Sequence, residues 1–173
     1  MRYRGIIPFF LFRKRSFIFL FFLVTTAYAQ VTYPQRAFDS DTCCWRVLAT
    51  KGHYVEAAQR IEDFLADGHP DNRQSLRWHA GQLYAFAGEN KKALRYLRST
   101  YSVFQKWFGD ADGAAWYRFA KGTCAFLRRD RTTLDRQITR WKKNLPSDAN
   151  LRELERLQAR WDQPYRLATQ AIP

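Results

Sequence analysis

The chain has 173 residues, 46% hydrophobic and 26% charged, with 29 lysines and arginines against 16 acids and a formal net charge of +13. That length holds one domain with a real core and leaves little room for two. The basic excess favours anionic partners, such as acidic peptides, membrane surfaces, cell-wall polymers or nucleic acid. Acids and cations nevertheless alternate along most of the chain, as at Arg152, Glu153, Glu155 and Arg156, so a generally soluble basic surface is the first expectation.

The N-terminal stretch is different in kind. Arg2, Arg4, Arg13, Lys14 and Arg15 precede the apolar run SFIFLFFLV at 16–24, and Ala27 and Ala29 put small residues at the two positions that a signal peptidase reads. This pattern predicts a removable signal peptide over 1–29, cleaved after Ala29, and a periplasmic or secreted protein. The uncharged run from Ser16 to Ala29 has 14 residues, short of the roughly 20 that a spanning helix needs. Extending it backwards would bury Arg13, Lys14 and Arg15. Membrane contact is therefore expected only through this segment, before cleavage. Cys43 lies too far along to serve as a lipidated N-terminus. Residues 30–37 are expected to be a linker.

Helical spacing dominates from Phe38 to Trp161, and no stretch alternates strictly enough for a strand, so the domain over 38–161 is expected to be all-α. The three cysteines, Cys43, Cys44 and Cys124, cannot all pair within one chain, and adjacent cysteines rarely close a relaxed ring. Buried thiols are the favoured state, with one long-range bridge to Cys124 or an intermolecular bridge as alternatives. One design recurs along the domain. Gly52-His53-Tyr54-Val55-Glu56-Ala57 opens an amphipathic stretch continued by Ile61 and Phe64 and stopped at Pro70; Gly88-Glu89-Asn90-Lys91-Lys92-Ala93 repeats it with Leu94 and Leu97; Arg129 to Leu134 repeats it again with Ile138 and Trp141, stopped at Pro146. Ala57, Ala93 and Leu134 are 36 and 41 residues apart, the period of helical repeats.

The segment AGQLYAFAGENKKALRYL resembles the tetratricopeptide-repeat signature, with a small residue in the first helix (Gly81), an aromatic three further on (Tyr84), a turn glycine (Gly88) and a small residue in the second helix (Ala93). The first copy keeps Gly52, Tyr54, Ala57 and Pro70 but has Trp45 at the small position; the third keeps Gly122 and Pro146 but has Arg129 for the turn glycine and Leu134 for the small residue. The resemblance covers about 110 residues, Phe38 to Pro146. It implies a short right-handed α-solenoid of about three helix pairs. A longer loop is expected at Trp107 to Gly113, and a C-terminal capping helix after Ser147 or Asp148, with Leu151, Leu154, Leu157 and Trp161 on one stripe. Residues 162–173, with Pro164 and Pro173, are expected to trail over the surface.

The resemblance also implies a groove lined by the first helices of the pairs. Its candidate binding residues are Arg46 in the first pair, Ser75, Trp78, Gln82 and Phe86 in the second, and Trp116, Phe119, Thr123 and Phe126 in the third. Large aromatics with a few polar groups suit a contact surface. His53 and His69 fall at turns and His79 within a helix, and none has the spacing of metal ligands. No nucleophile elbow or glycine-rich phosphate loop occurs, and neither Cys43 nor Cys44 has an evident partner base, so no catalytic residue, metal or cofactor is assigned. The leading expectation is an exported, non-catalytic module that holds a protein or peptide partner. Two alternatives are an envelope accessory protein or enzyme acting on an acidic cell-wall polymer, and an immunity-type protein neutralising an envelope toxin. Nucleic acid is not expected as a partner of an exported protein.

Overall fold

A computed structural model describes residues 34–109, 111–143 and 148–170. The predicted leader with Ala27 and Ala29 lies outside the described residues, as do Pro146 and Ser147. The described residues form ten helices and no strand, so the fold is all-α.

Residues expected as the end of a linker already belong to the fold. Helix α1 (Gln35–Phe38) stacks the Phe38 ring on Phe64 with centroids 4.1 Å apart, and the Gln35 side-chain oxygen accepts from the Asn72 N–H at 2.7 Å. Burying the Phe38 ring, worth about 1.5–3 kcal/mol, offsets part of the cost of ordering this segment.

Helices α2 (Cys44–Thr50) and α3 (Tyr54–Asp67) pack together across Gly52, whose φ of 81° lies in the left-handed region that glycine adopts without strain. Cys43 and Cys44 form a vicinal disulfide at the start of α2, which replaces the expected pair of free thiols; the left-handed backbone of Cys44 lets two adjacent residues meet. Cys124 is free and fully buried.

Helix α4 (Arg73–Phe86) starts at Asn72, whose side chain accepts from the Ser75 N–H at 2.9 Å, and returns through Gly88 (φ 80°) into α5 (Asn90–Arg98). A Cβ on Gly81 would lie 2.6 Å from Leu97 Cγ, so only glycine lets these two helices approach so closely. Ala93 and Leu97 are fully buried at the contact, and Tyr84 is buried with its hydroxyl donating to Glu62 at 2.9 Å.

Helix α6 (Val103–Phe108) begins with a capping box between Ser102 and Gln105 and stops at Gly109, so the longer loop expected at Trp107 to Gly113 is instead the end of α6 and the start of the next helix. Helix α7 (Ala111–Leu127) packs on α5, α6 and α8 (Arg131–Lys142), and Asp130 caps α8 by accepting from the Thr133 N–H at 3.0 Å. Helix α9 (Ala149–Ala159) is capped by Asp148 and buries Leu151, Leu154 and Leu157 against α7 and α8. Gly122 serves this helix: a Cβ there would lie 2.6 Å from Leu154 Cδ1.

The segment expected to trail instead folds back. Helix α10 (Tyr165–Ala168) packs on α4 and α9 with Tyr165 and Ala168 buried. All the described residues lie within one compact unit, 32–173.

Candidate functional site: the face of α2, α4 and α7

The odd members of the helix pairs, α2, α4 and α7, touch through a row of rings. Trp45 meets His79 at 5.1 Å, Trp78 meets Trp116 at 4.7 Å and Phe119 at 5.1 Å, and Phe126 meets Tyr165 at 6.1 Å. The candidate groove residues divide within this row.

Trp78, Phe119, Thr123 and Phe126 are buried; Trp78 and Phe119 join α4 to α7, and Phe126 packs on Trp161 and Tyr165. Trp116 is half-buried, and its indole N–H donates to the Thr100 carbonyl at 2.8 Å. Ser75 is half-buried at the start of α4. Arg46 is held locally, with its guanidinium 4.4 Å from the Trp45 ring centroid and its Nε donating to the Asp39 carbonyl at 2.7 Å. Gln82 and Phe86 line a cleft beside α2.

That cleft holds about 350 Å³ between α2 and α4 and is lined by Trp45, Ala49, Thr50, Tyr54, His79, Gln82, Leu83 and Phe86. Its walls are chiefly aromatic and aliphatic, and its volume suits one or two side chains of a peptide better than a bulky cofactor. Tyr54 closes one end, edge-on to Phe86 at 5.5 Å. Its polar side chains include His79 and Gln82, both on α4. Burial lowers the His79 pKa below 6.5, the nearby Arg46 charge lowers it further, and Asp39 and Gln82 act in the opposite direction. The neutral imidazole, which can both donate and accept, is therefore the form the cleft favours.

Beyond Phe86 the same face is already filled by the chain itself. Tyr165 lies against Phe86 at 5.6 Å and near Phe126; burial pushes its phenol pKa up, while Gln82 acts to lower it. The backbone around Tyr165 is held by side chains. Arg160 donates to the carbonyls of Leu167 at 2.9 Å and Gln170 at 2.6 Å, and Arg129 donates to those of Trp161 and Gln163. The strap 163–170 is thus a peptide segment with an aromatic anchor in a ring-lined site and its carbonyls paired to arginines.

Sequence reasoning gave His79 no role and placed Tyr165 in a trailing tail. The spacing of Tyr165 and Ala168, one helical turn apart after Pro164, was the available signal for the second. Nothing in the spacing of His79 distinguishes a cleft residue from a surface one. Among the described residues, no three or more His, Cys, Asp or Glu side chains gather where a metal ion could be held. Comparison with family models, with curated proteins and with solved structures gives no match to this chain.

Proposed function

We propose that this chain is an exported, non-catalytic tetratricopeptide-like protein of the periplasm or extracellular space, which holds an extended segment of a protein partner on the face of α2, α4 and α7. The observation that carries this proposal is the strap: Tyr165 on Phe86 and Phe126, with neighbouring carbonyls bonded to Arg129 and Arg160, displays the chemistry by which this face accepts a peptide. The adjoining cleft at Trp45, Tyr54, His79 and Gln82 offers the same chemistry with no segment in it. A partner would set an aromatic or aliphatic side chain among Trp45, Tyr54 and Phe86, and a backbone or side-chain amide against His79 or Gln82. Buried rings of this kind carry most of the energy of such contacts.

The strap gives a direct test. A chain ending at Asp162 should bind a synthetic peptide of residues 163–170 in trans, and Phe86→Ala should weaken that binding by about tenfold or more, the loss of one aromatic contact of 1.5–3 kcal/mol. Calorimetry with a peptide in which Tyr165 is replaced by Ala supplies the control. Equal binding of both peptides would remove the basis for a peptide-accepting face.

A further inference from the structure

Apart from Leu167, every large hydrophobic side chain exposed among the described residues sits on α6: Val103 at 57%, Phe104 at 74%, Trp107 at 69% and Phe108 at 82%. Core burial does not account for them, since α6 packs chiefly on α7 and turns these four residues outward. Nor are they the by-product of a frayed turn. The Ser102 hydroxyl accepts from the Gln105 N–H, the Gln105 side chain accepts from the Ser102 N–H at 2.8 Å, and the Gly109 N–H donates to the Gln105 carbonyl at 3.2 Å. The helix is capped at both ends while its apolar side faces solvent.

Two quantities narrow what covers it. Three aromatics and a valine at these exposures present on the order of 500 Å², the upper range for a patch on a single folded chain. A stable protein interface takes roughly 800 Å² from each partner, so α6 alone is too small for one. The second quantity is charge. Residues 90–109 contain Lys91, Lys92, Arg95, Arg98 and Lys106 and no acid; Asp110 and Asp112 follow only beyond Gly109. Around the base of α6, Arg98 and Arg128 both act on the Tyr101 phenol, and Lys121 donates to the Tyr117 hydroxyl at 2.9 Å, whose ring lies 5.6 Å from Tyr101. A small, exposed patch of tryptophan and phenylalanine in a stretch of chain rich in cations matches a lipid headgroup region, where aromatic rings settle at the interface and each nearby cation gains from anionic lipid.

We propose that α6 is an interfacial anchor: Phe104, Trp107 and Phe108 enter the surface of an anionic phospholipid bilayer, with Arg98, Lys121 and Arg128 against its headgroups. This goes beyond the peptide-binding proposal and does not depend on it. The chain would then work from a membrane surface, leaving the face of α2, α4 and α7 free for a partner.

The test uses the full chain, with Trp107 as its own reporter. Vesicles of phosphatidylcholine and phosphatidylglycerol in equal amounts, carrying brominated acyl chains, should quench a fluorescence component that Trp107→Phe removes. The double variant Phe104→Asp/Phe108→Asp, at positions exposed enough to leave the fold intact by circular dichroism, should lose that quenching. Apparent affinity should fall about tenfold in pure phosphatidylcholine or at high salt, as expected for an electrostatic share of the binding. Vesicle binding without quenching of Trp107 would assign the contact to another segment, such as the apolar residues 16–24, and overturn the proposal. So would the absence of binding, or a dimer in sedimentation equilibrium that the double variant abolishes while Trp107 stays unquenched by lipid, which would make a second copy the occupant.

Discussion

Arg129 stands at the turn where the two earlier helix pairs have Gly52 and Gly88, and it adopts their left-handed backbone with φ of 58°. A side chain in that conformation costs about 1–2 kcal/mol. The guanidinium offsets this by lying 5.2 Å from the Phe126 ring centroid and 5.6 Å from that of Trp161, and by tying down the chain that leads to the strap. From sequence the position reads only as a lost glycine, because all its partners but Phe126 lie more than 30 residues on. His79 poses the same difficulty, since its environment is assembled from Trp45, Arg46 and Gln82, and only the last is on its own helix. Its lowered pKa has a definite consequence. The fold prefers the neutral imidazole, so the stability from this group is complete above the unfolded value of 6.5 and falls away as pH drops through 6.5 toward the folded value. An imidazole titration by NMR should give His79 a midpoint below 6.5, and His79→Gln should flatten the loss of stability between neutral and mildly acidic pH. A midpoint at or above 6.5 would contradict the buried, Arg46-facing placement.

Which helices could be foreseen depended on whether their partners were near in sequence. The α4–α5 pair was legible because its close approach is written in small residues: Gly81 against Leu97, and a fully buried Ala93. Gly81→Ala should destabilise the fold by about 1–3 kcal/mol through overpacking, and Leu97→Ala by about 2–5 kcal/mol through a cavity. Because the added methyl occupies the space that Leu97 leaves, the double variant should cost clearly less than the two together in urea unfolding, and simple additivity would argue against this contact. Helices α6 and α10 were not foreseen. Glycines and aspartates after Phe108 signalled a loop and hid a six-residue capped helix. Two prolines signalled a trailing end, whereas Pro164 in fact precedes a helical turn that Phe86 and Phe126 hold through Tyr165. Gly122 stands at the small position of the third copy in the sequence, and the side chain that comes close to it in the fold is Leu154 of α9. Period and small residues locate such positions without identifying what comes near.

Helix α6 and the segment after α9 both lie outside the pairs α2–α3, α4–α5 and α7–α8. Helix α6, between α5 and α7, carries the exposed aromatic patch, and the chain beyond α9 supplies the strap that packs on α4 and α9. Of the predicted groove residues, Gln82 and Phe86 line the cleft, whereas Trp78, Phe119 and Thr123 are buried where α4 and α7 close on one another, which leaves the open cleft nearer α2. Holding a partner segment in that cleft is the central claim, and site-specific photo-crosslinking in the cells that make the protein tests it most directly. A photoreactive residue at Gln82 should give one discrete adduct with a protein partner, which the same residue at Arg136 on α8 does not give and which Tyr54→Ala diminishes. Identical adducts from both positions, or none from Gln82 with the folded chain present, would contradict it.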